Sequence, residues 1–263
     1  MDLQLDGRLA LVTGSTAGIG HAIATALACE GARVIVNGRS EQGVAQARER
    51  IAAAGGAETL GCVADLGSAE GAAAVVAAQP RVDILVNSLG IFEPKEFADI
   101  SDADWLRMFE VNVLSGVRLA RAYVEGMRER DWGRVIFISS ESAVQIPAEM
   151  IHYGMSKTAQ LAVSRGLAET LAGTGVTVNA VLPGPTRSRG VADFLAAVAR
   201  QQGVSEAEVE QDFFARARPS SLIRRFAEPA EVAPLVAYLA SPLASATTGA
   251  ALRVDGGVVR SAF

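Results

Sequence analysis

Short runs of β-branched and aliphatic residues alternate along this chain with stretches whose apolar positions recur every three to four residues. RLALVTG leads into a helical pattern from Gly18 to Glu30, ARVIVNG into one from Glu41 to Ala54, and ETLGCVA into a short one from Ser68 to Ala78. VDILVNS, a long helical pattern from Asp102 to Arg130, GRVIFISS, a helix from Ile151 to Ala172, VTVNAVLPG and GAALRVDGG complete the series. Each parallel return needs a crossover, and strands apolar throughout need cover on both faces. The pattern therefore predicts an α/β fold: a doubly wound, seven-stranded, mainly parallel sheet with helices on both faces, Rossmann-like, in a single domain over residues 1–263. The rhythm breaks once. Between Pro185 and Pro229 it gives two helices, Val191–Gln202 and Glu206–Arg216, and no strand. Insertions beyond a strand's carboxyl end usually cover a ligand, so residues 186–228 are expected to form a helical substrate lid, with a plain surface excursion as the other reading.

Composition narrows the function. Half of the 263 residues are hydrophobic but only 5% are aromatic, so the core must come from aliphatic side chains and close packing over Ala and Gly. A net charge of −5 offers no footprint for a phosphate backbone, and nucleic acid is not an expected partner. The start, MDLQLDGRLALVTG, lacks a secretory pattern, and no run approaches the roughly 20 apolar residues of a membrane span. A cytoplasmic protein without a membrane partner is expected. Cys29 and Cys62 read as buried small hydrophobes rather than a disulfide, and with His21 and His152 scattered no metal site is expected.

The chemistry concentrates in three places. After the first strand, Thr13 precedes Gly14, Gly18 and Gly20, which would let the chain turn tightly and let a pyrophosphate approach a helix N-terminus. Tyr153 and Lys157, four residues apart, share one helix face, and a cation beside a phenol stabilises the phenolate. Ser140 ends the strand GRVIFISS, 13 positions before Tyr153. With the spacing Gly-x3-Gly-x-Gly, these residues resemble the short-chain dehydrogenase/reductase family, in particular 3-oxoacyl-carrier-protein reductases and related carbonyl reductases. The resemblance covers nearly the whole chain.

The resemblance implies a catalytic set of Asn112, Ser140, Tyr153 and Lys157. Tyr153 would be the general acid/base. Lys157 would lower its pKa and bind ribose, and Ser140 would orient and polarise a carbonyl. Asn112 would hold a water that joins the lysine to bulk solvent. Cofactor contacts carried over are Gly14, Ser15, Thr16, Gly18, Ile19 and Gly20 at the phosphates, and Asp65 and Leu66 at the adenine. Asn87 and Gly90 would lie beside the cofactor, Tyr153 and Lys157 at the ribose, and Pro183, Gly184 and Thr186 at the nicotinamide. Asp65 also reads as a helix N-cap, and the Pro183–Thr186 stretch as an ordinary turn. The family's Asn-Asn-Ala-Gly is here Asn87-Ser88-Leu89-Gly90. At the end of the second strand, where an acidic residue would accept from a free ribose 2′-hydroxyl, Gly38 is followed by Arg39, so NADP(H) is expected to be preferred, with NAD(H) possible. Before the second glycine, where many NADP(H)-using members carry a basic residue, stands Ala17.

The implied activity interconverts a ketone and a secondary alcohol, with a 3-oxoacyl thioester as the first substrate expectation. A sugar-acid or small-alcohol dehydrogenase is the alternative, and a cofactor-sensing regulatory protein is the alternative of another class. A homotetramer through the helices 102–130 and 151–172 is implied as well. His152 is given no catalytic role, since adjacent helix residues do not share a face. Arg216, Arg218, Arg224 and Arg225 suit either a phosphate-bearing or acidic carrier or an ordinary surface, and Phe194, Phe213 and Phe214 offer apolar material for a pocket.

Overall fold

A computed structural model describes residues 2–262, apart from the side chains of Arg189 and Phe194, so the reading of Phe194 lies outside the described residues. Its strands are β1 (Leu9–Val12), β2 (Arg33–Gly38), β3 (Thr59–Val63), β4 (Ile84–Asn87), β5 (Gly133–Ile138), β6 (Val176–Pro183) and β7 (Ala251–Val254). They form one parallel sheet in the order β3-β2-β1-β4-β5-β6-β7. The continuous apolar runs have a simple cause. Side chains alternate between the two faces of a strand, and here both faces are packed. Ala10, Val12, Val34, Val36, Ile84 and Val86 enter one core, where they meet Ile23, Leu27, Val232 and Val236. Leu11, Ile35, Leu85, Val135 and Phe137 enter the other, against Val75, Leu119 and Met127.

The helices are α1 (Gly18–Cys29), α2 (Glu41–Ala53), α3 (Ala69–Ala78), α4 (Asp102–Phe109), α5 (Ser115–Glu129), α6 (Ile151–Thr170), α7 (Arg189–Gln202), α8 (Glu206–Arg216) and α9 (Pro229–Ala240). Two differ from the sequence reading. The stretch expected as one helix from Asp102 to Arg130 is α4 and α5 joined by a single wide π-helical turn, Glu110–Leu114. Helix α9 went unread because Pro234 lies inside it, and a proline argues against a helix by roughly 3 kcal/mol. Burial of Val232, Val236 and Leu239 outweighs that cost, at about 1.5–3 kcal/mol for each fully buried side chain.

Cys29 is a third correction. It is the last residue of α1 and is exposed, because the buried stripe of that helix runs through Ile23, Leu27 and Ala28. Cys62 is partly buried; both thiols are free, and burial pushes that of Cys62 up. Helices α7 and α8 carry a small core of their own, Leu195, Ala199, Val209, Phe214 and Phe226. No helix of the described residues is long and apolar enough to cross a membrane.

Candidate active site

The strand order reverses at β1, whose neighbours are β2 and β4, and crossovers leaving to opposite sides open a crevice at the carboxyl ends. A cleft of about 280 Å³ lies there, lined by Gly14, Ala17, Gly18, Ile19 and Gly20 on one side and Ser88, Leu89 and Gly90 on another. Ser188 and Gly190, at the start of α7, close its rim. Gly14 and Gly18 have φ of 62° and 57°, the left-handed region that favours glycine. A Cβ at Gly20 would sit 2.6 Å from the Gly14 carbonyl oxygen. Helix α1 begins after Ala17 with no side-chain cap, leaving its first amides to be satisfied by something else. At the end of β4, Asn87 is buried against Gly116 of α5 with neither its Nδ2 nor its Oδ1 partnered. The uncapped amides at this glycine turn suit the phosphates of a dinucleotide.

The loop is braced by side chains the sequence did not single out. Asn37 accepts from the Gly14 amide (3.1 Å) and donates to the carbonyls of Cys62 and Ala64 (both 3.2 Å). Ser15 turns inward, donating to Val12 O (2.7 Å), and Thr13 Oγ1 accepts from the amides of Ser88 and Leu89 (both 2.9 Å). Arg50 of α2 donates to Thr16 O (2.6 Å), bringing a cation next to Ala17, and it helps burial to lower the His21 pKa. Arg39 is exposed and has no partner among the described residues. A Cβ at Gly38 would lie 2.4 Å from Thr16 Cγ2, so an acidic side chain there would collide with the loop. Asp65 is not the helix cap. It is exposed and accepts from Gly67 N, while Ser68 caps α3, and the Leu66 side chain is in the core. Thr186 donates to Gly184 O (2.9 Å) beneath the end of β6, and a Cβ at Gly184 would meet Asp255 O at 2.5 Å, so Pro183–Thr186 is held against the next strand's end.

Ser140, Tyr153, Lys157 and Asn112 lie near one another. Lys157 is buried, donating to Ile138 O (3.0 Å) and Gln160 Oε1 (3.3 Å), and burial lowers it to about 8. Its Nζ lies 5.7 Å from the Tyr153 ring centre. Burial pushes the Tyr153 phenol above its ordinary range; Ser140 opposes this, Glu141 reinforces it and Arg218 opposes it. Asn112 sits in the wide turn, where its side chain bonds both the amide (2.8 Å) and the carbonyl (2.9 Å) of Ile91 and donates to Ser156 Oγ (2.9 Å). His152 points away from the cleft, buried edge-on to Trp105 with ring centres 5.9 Å apart.

A buried ion pair was missed. Glu141 Oε2 accepts from Ser140 Oγ (2.5 Å), Ser142 N (2.7 Å) and Ser142 Oγ (2.9 Å), while Oε1 accepts from Arg218 Nε (3.1 Å). Arg218 also reaches Glu149 (3.0 Å). The signal was present as an acidic residue directly after a strand-ending serine. Arg216 pairs with Asp212 and Arg225 with Glu231, so three of the four clustered arginines are already neutralised. Phe213 and Phe214 pack with Phe226, ring centres 5.0 and 5.1 Å away, instead of standing free for a pocket.

A family model described as enoyl-(acyl carrier protein) reductase matches residues 14–259. The uncharacterized oxidoreductase YvaG of Bacillus subtilis is 51% identical over 264 residues, with 100% of both chains covered. A 3-oxoacyl-(acyl-carrier-protein) reductase of Aquifex aeolicus is 32% identical, covering 98% of this chain and 100% of its own. The crystal structure of an L-sorbose reductase from Gluconobacter frateurii, complexed with NADPH and L-sorbose, superposes with a TM-score of 0.93 at 30% identity, covering 99% of this chain and 100% of its own.

Replacing Arg218 by Met strands the Glu141 carboxylate, whose side chain is 5% exposed, and breaking a buried pair from one side costs about 3–5 kcal/mol. Arg216→Met, at a pair more than half exposed on both sides, is expected to cost below about 1 kcal/mol. Chemical denaturation of the two variants checks the contrast.

Proposed function

Because the chain belongs to the short-chain dehydrogenase/reductase family, we propose that this oxidoreductase interconverts a ketone and a secondary alcohol with a nicotinamide cofactor, NADP(H) by preference, and that Tyr153 moves the proton. The observation that carries the reading is the convergence of Ser140, Tyr153 and a buried, charge-bearing Lys157 at the carboxyl end of β5, beside the cleft with its uncapped helix. A bound nicotinamide would supply or accept the hydride. Tyr153 gives its phenolic proton to the substrate oxygen in reduction and takes it back in oxidation. Lys157 holds the phenolate's charge. Ser140 must turn its hydroxyl from Glu141 to the substrate oxygen, while Ser142 keeps that carboxylate occupied. Gly14, Gly18, Ile19 and Gly20 with Ser15 and Thr16 would cradle the phosphates, Asp65 and Leu66 the adenine, and Asn87, Gly90, Pro183, Gly184 and Thr186 the nicotinamide half. The segment 186–228 would act as the lid of this single catalytic domain.

The paired arginines favour a small, neutral hydroxyketone over the carrier-linked thioester, since no cluster of free cations waits for a phosphate or an acidic carrier. The likeness to the L-sorbose reductase supports the same choice. Unpaired Arg39, Arg50 at the loop and the crowding of Gly38 by Thr16 support NADP(H). A homotetramer through α4, α5 and α6 is supported by apolar surface on α4, where Leu106 is 70% exposed.

Tyr153→Phe is expected to lower turnover roughly a hundred- to ten-thousand-fold, the span of general acid–base catalysis, while leaving cofactor affinity within a few fold. A panel of hydroxyketones assayed by NADPH oxidation reads it, and a Phe variant with most of the parent's rate refutes the assignment. Arg39→Ile is expected to remove a charge-assisted bond of about 1.5–3 kcal/mol, an NADP(H) preference of about ten- to a hundred-fold in kcat/KM. Reversal toward NAD(H) needs Gly38→Asp and also Thr16→Ala, which clears the colliding methyl; a parent that already favours NAD(H) contradicts the reading. Leu106→Asp combined with Phe109→Asp should reduce the mass found by light scattering, and a monomeric parent rules out the tetramer.

A further inference from the structure

Gln160 is a buried polar side chain, 1% exposed, with no part in the reading above. It stands one turn beyond Lys157 on the face of α6 that carries Tyr153. Its Nε2 donates to the main-chain carbonyl of Asn112 (2.6 Å), in the wide turn between α4 and α5, and its Oε1 accepts from Lys157 Nζ (3.3 Å). The two partners fix the orientation of the amide. A carbonyl can only accept and an ammonium can only donate, so a flipped Gln160 would lose both bonds.

We propose that Gln160 is a positioning residue for proton transfer, its side chain spanning from the Asn112 carbonyl to the Lys157 ammonium and holding that ammonium charged and in place. The inference rests on the acid/base reading of Tyr153 and Lys157. No carboxylate pairs with Lys157 among the described residues, so its charge is held by two neutral acceptors, Ile138 O and Gln160 Oε1. The other charged groups around the pair, Glu141 and Arg218, act on Tyr153. An acceptor at an ammonium favours its charged form against burial, which here already lowers Lys157 to about 8. Without Gln160 the lysine would lose its proton at a lower pH, the phenolate would lose its cation, and Tyr153 would ionise later. A role confined to packing predicts no such shift.

The test titrates phenolate ultraviolet absorbance in the full-length protein saturated with NADP+, subtracting a Tyr153→Phe sample. Of the two remaining tyrosines, burial pushes Tyr123 up to about 12, and the subtraction removes both. Gln160→Met keeps length and loses both hydrogen bonds. Its Tyr153 midpoint is expected to rise by roughly one pH unit, the size of one charge-assisted bond of modest strength. Gln160→Asn, too short to span both partners but still polar, is expected to rise in the same direction, and it carries the test should the Met variant fail to fold. An unchanged midpoint in a folded, NADP+-binding variant overturns the inference while leaving Tyr153 as the acid/base. A subtraction that removes no titrating signal refutes the acid/base reading itself, and this inference with it.

Discussion

The carboxyl end of β1 is the constraint on which the site depends. Because β2 and β4 flank it and their crossovers leave on opposite sides, the backbone opens there and nowhere else along the sheet. A crevice alone would collapse or frustrate the amides it exposes. Thr13 ties β1 to the segment after β4, Asn37 props the turn from β2, and close contact at Gly20 keeps the loop thin enough for a ligand to approach. These few polar bonds turn a consequence of topology into a shaped surface.

The reacting end is built on a different device, satisfied burial. Lys157 and Glu141 are charges withdrawn from water, and each is tolerated because hydrogen bonds replace hydration. The wide turn at Asn112 is part of that arrangement: it breaks a helix that would otherwise run uninterrupted, and it puts a carbonyl and a carboxamide within reach of α6. Such turns inside helices are frequent at functional sites. The Glu141–Arg218 pair does something further by joining the end of the α7–α8 segment to the loop that carries Ser140.

What the sequence by itself determined was the part governed by period and local spacing. The central strands, packed on both faces, must be apolar throughout and were readable for that reason, while the edge strands β3 and β7, which are only partly buried, were readable as short apolar runs bounded by turns. Tyr153 and Lys157 share a helix face wherever that helix lies, and glycines between a strand and a helix mark the turn whatever binds there. Tertiary structure alone decided what depends on distant partners. It showed α9 outweighing its proline through core packing, Cys29 facing out, and the arginine cluster spent on Asp212, Glu141 and Glu231 rather than left open for a ligand. It also brought Gln160 to Asn112, 48 positions apart, and Arg218 to Glu141, 77 apart. Periodicity carries no information about contacts at such separations, because they are set by how helices and loops from different crossovers meet over the same sheet edge.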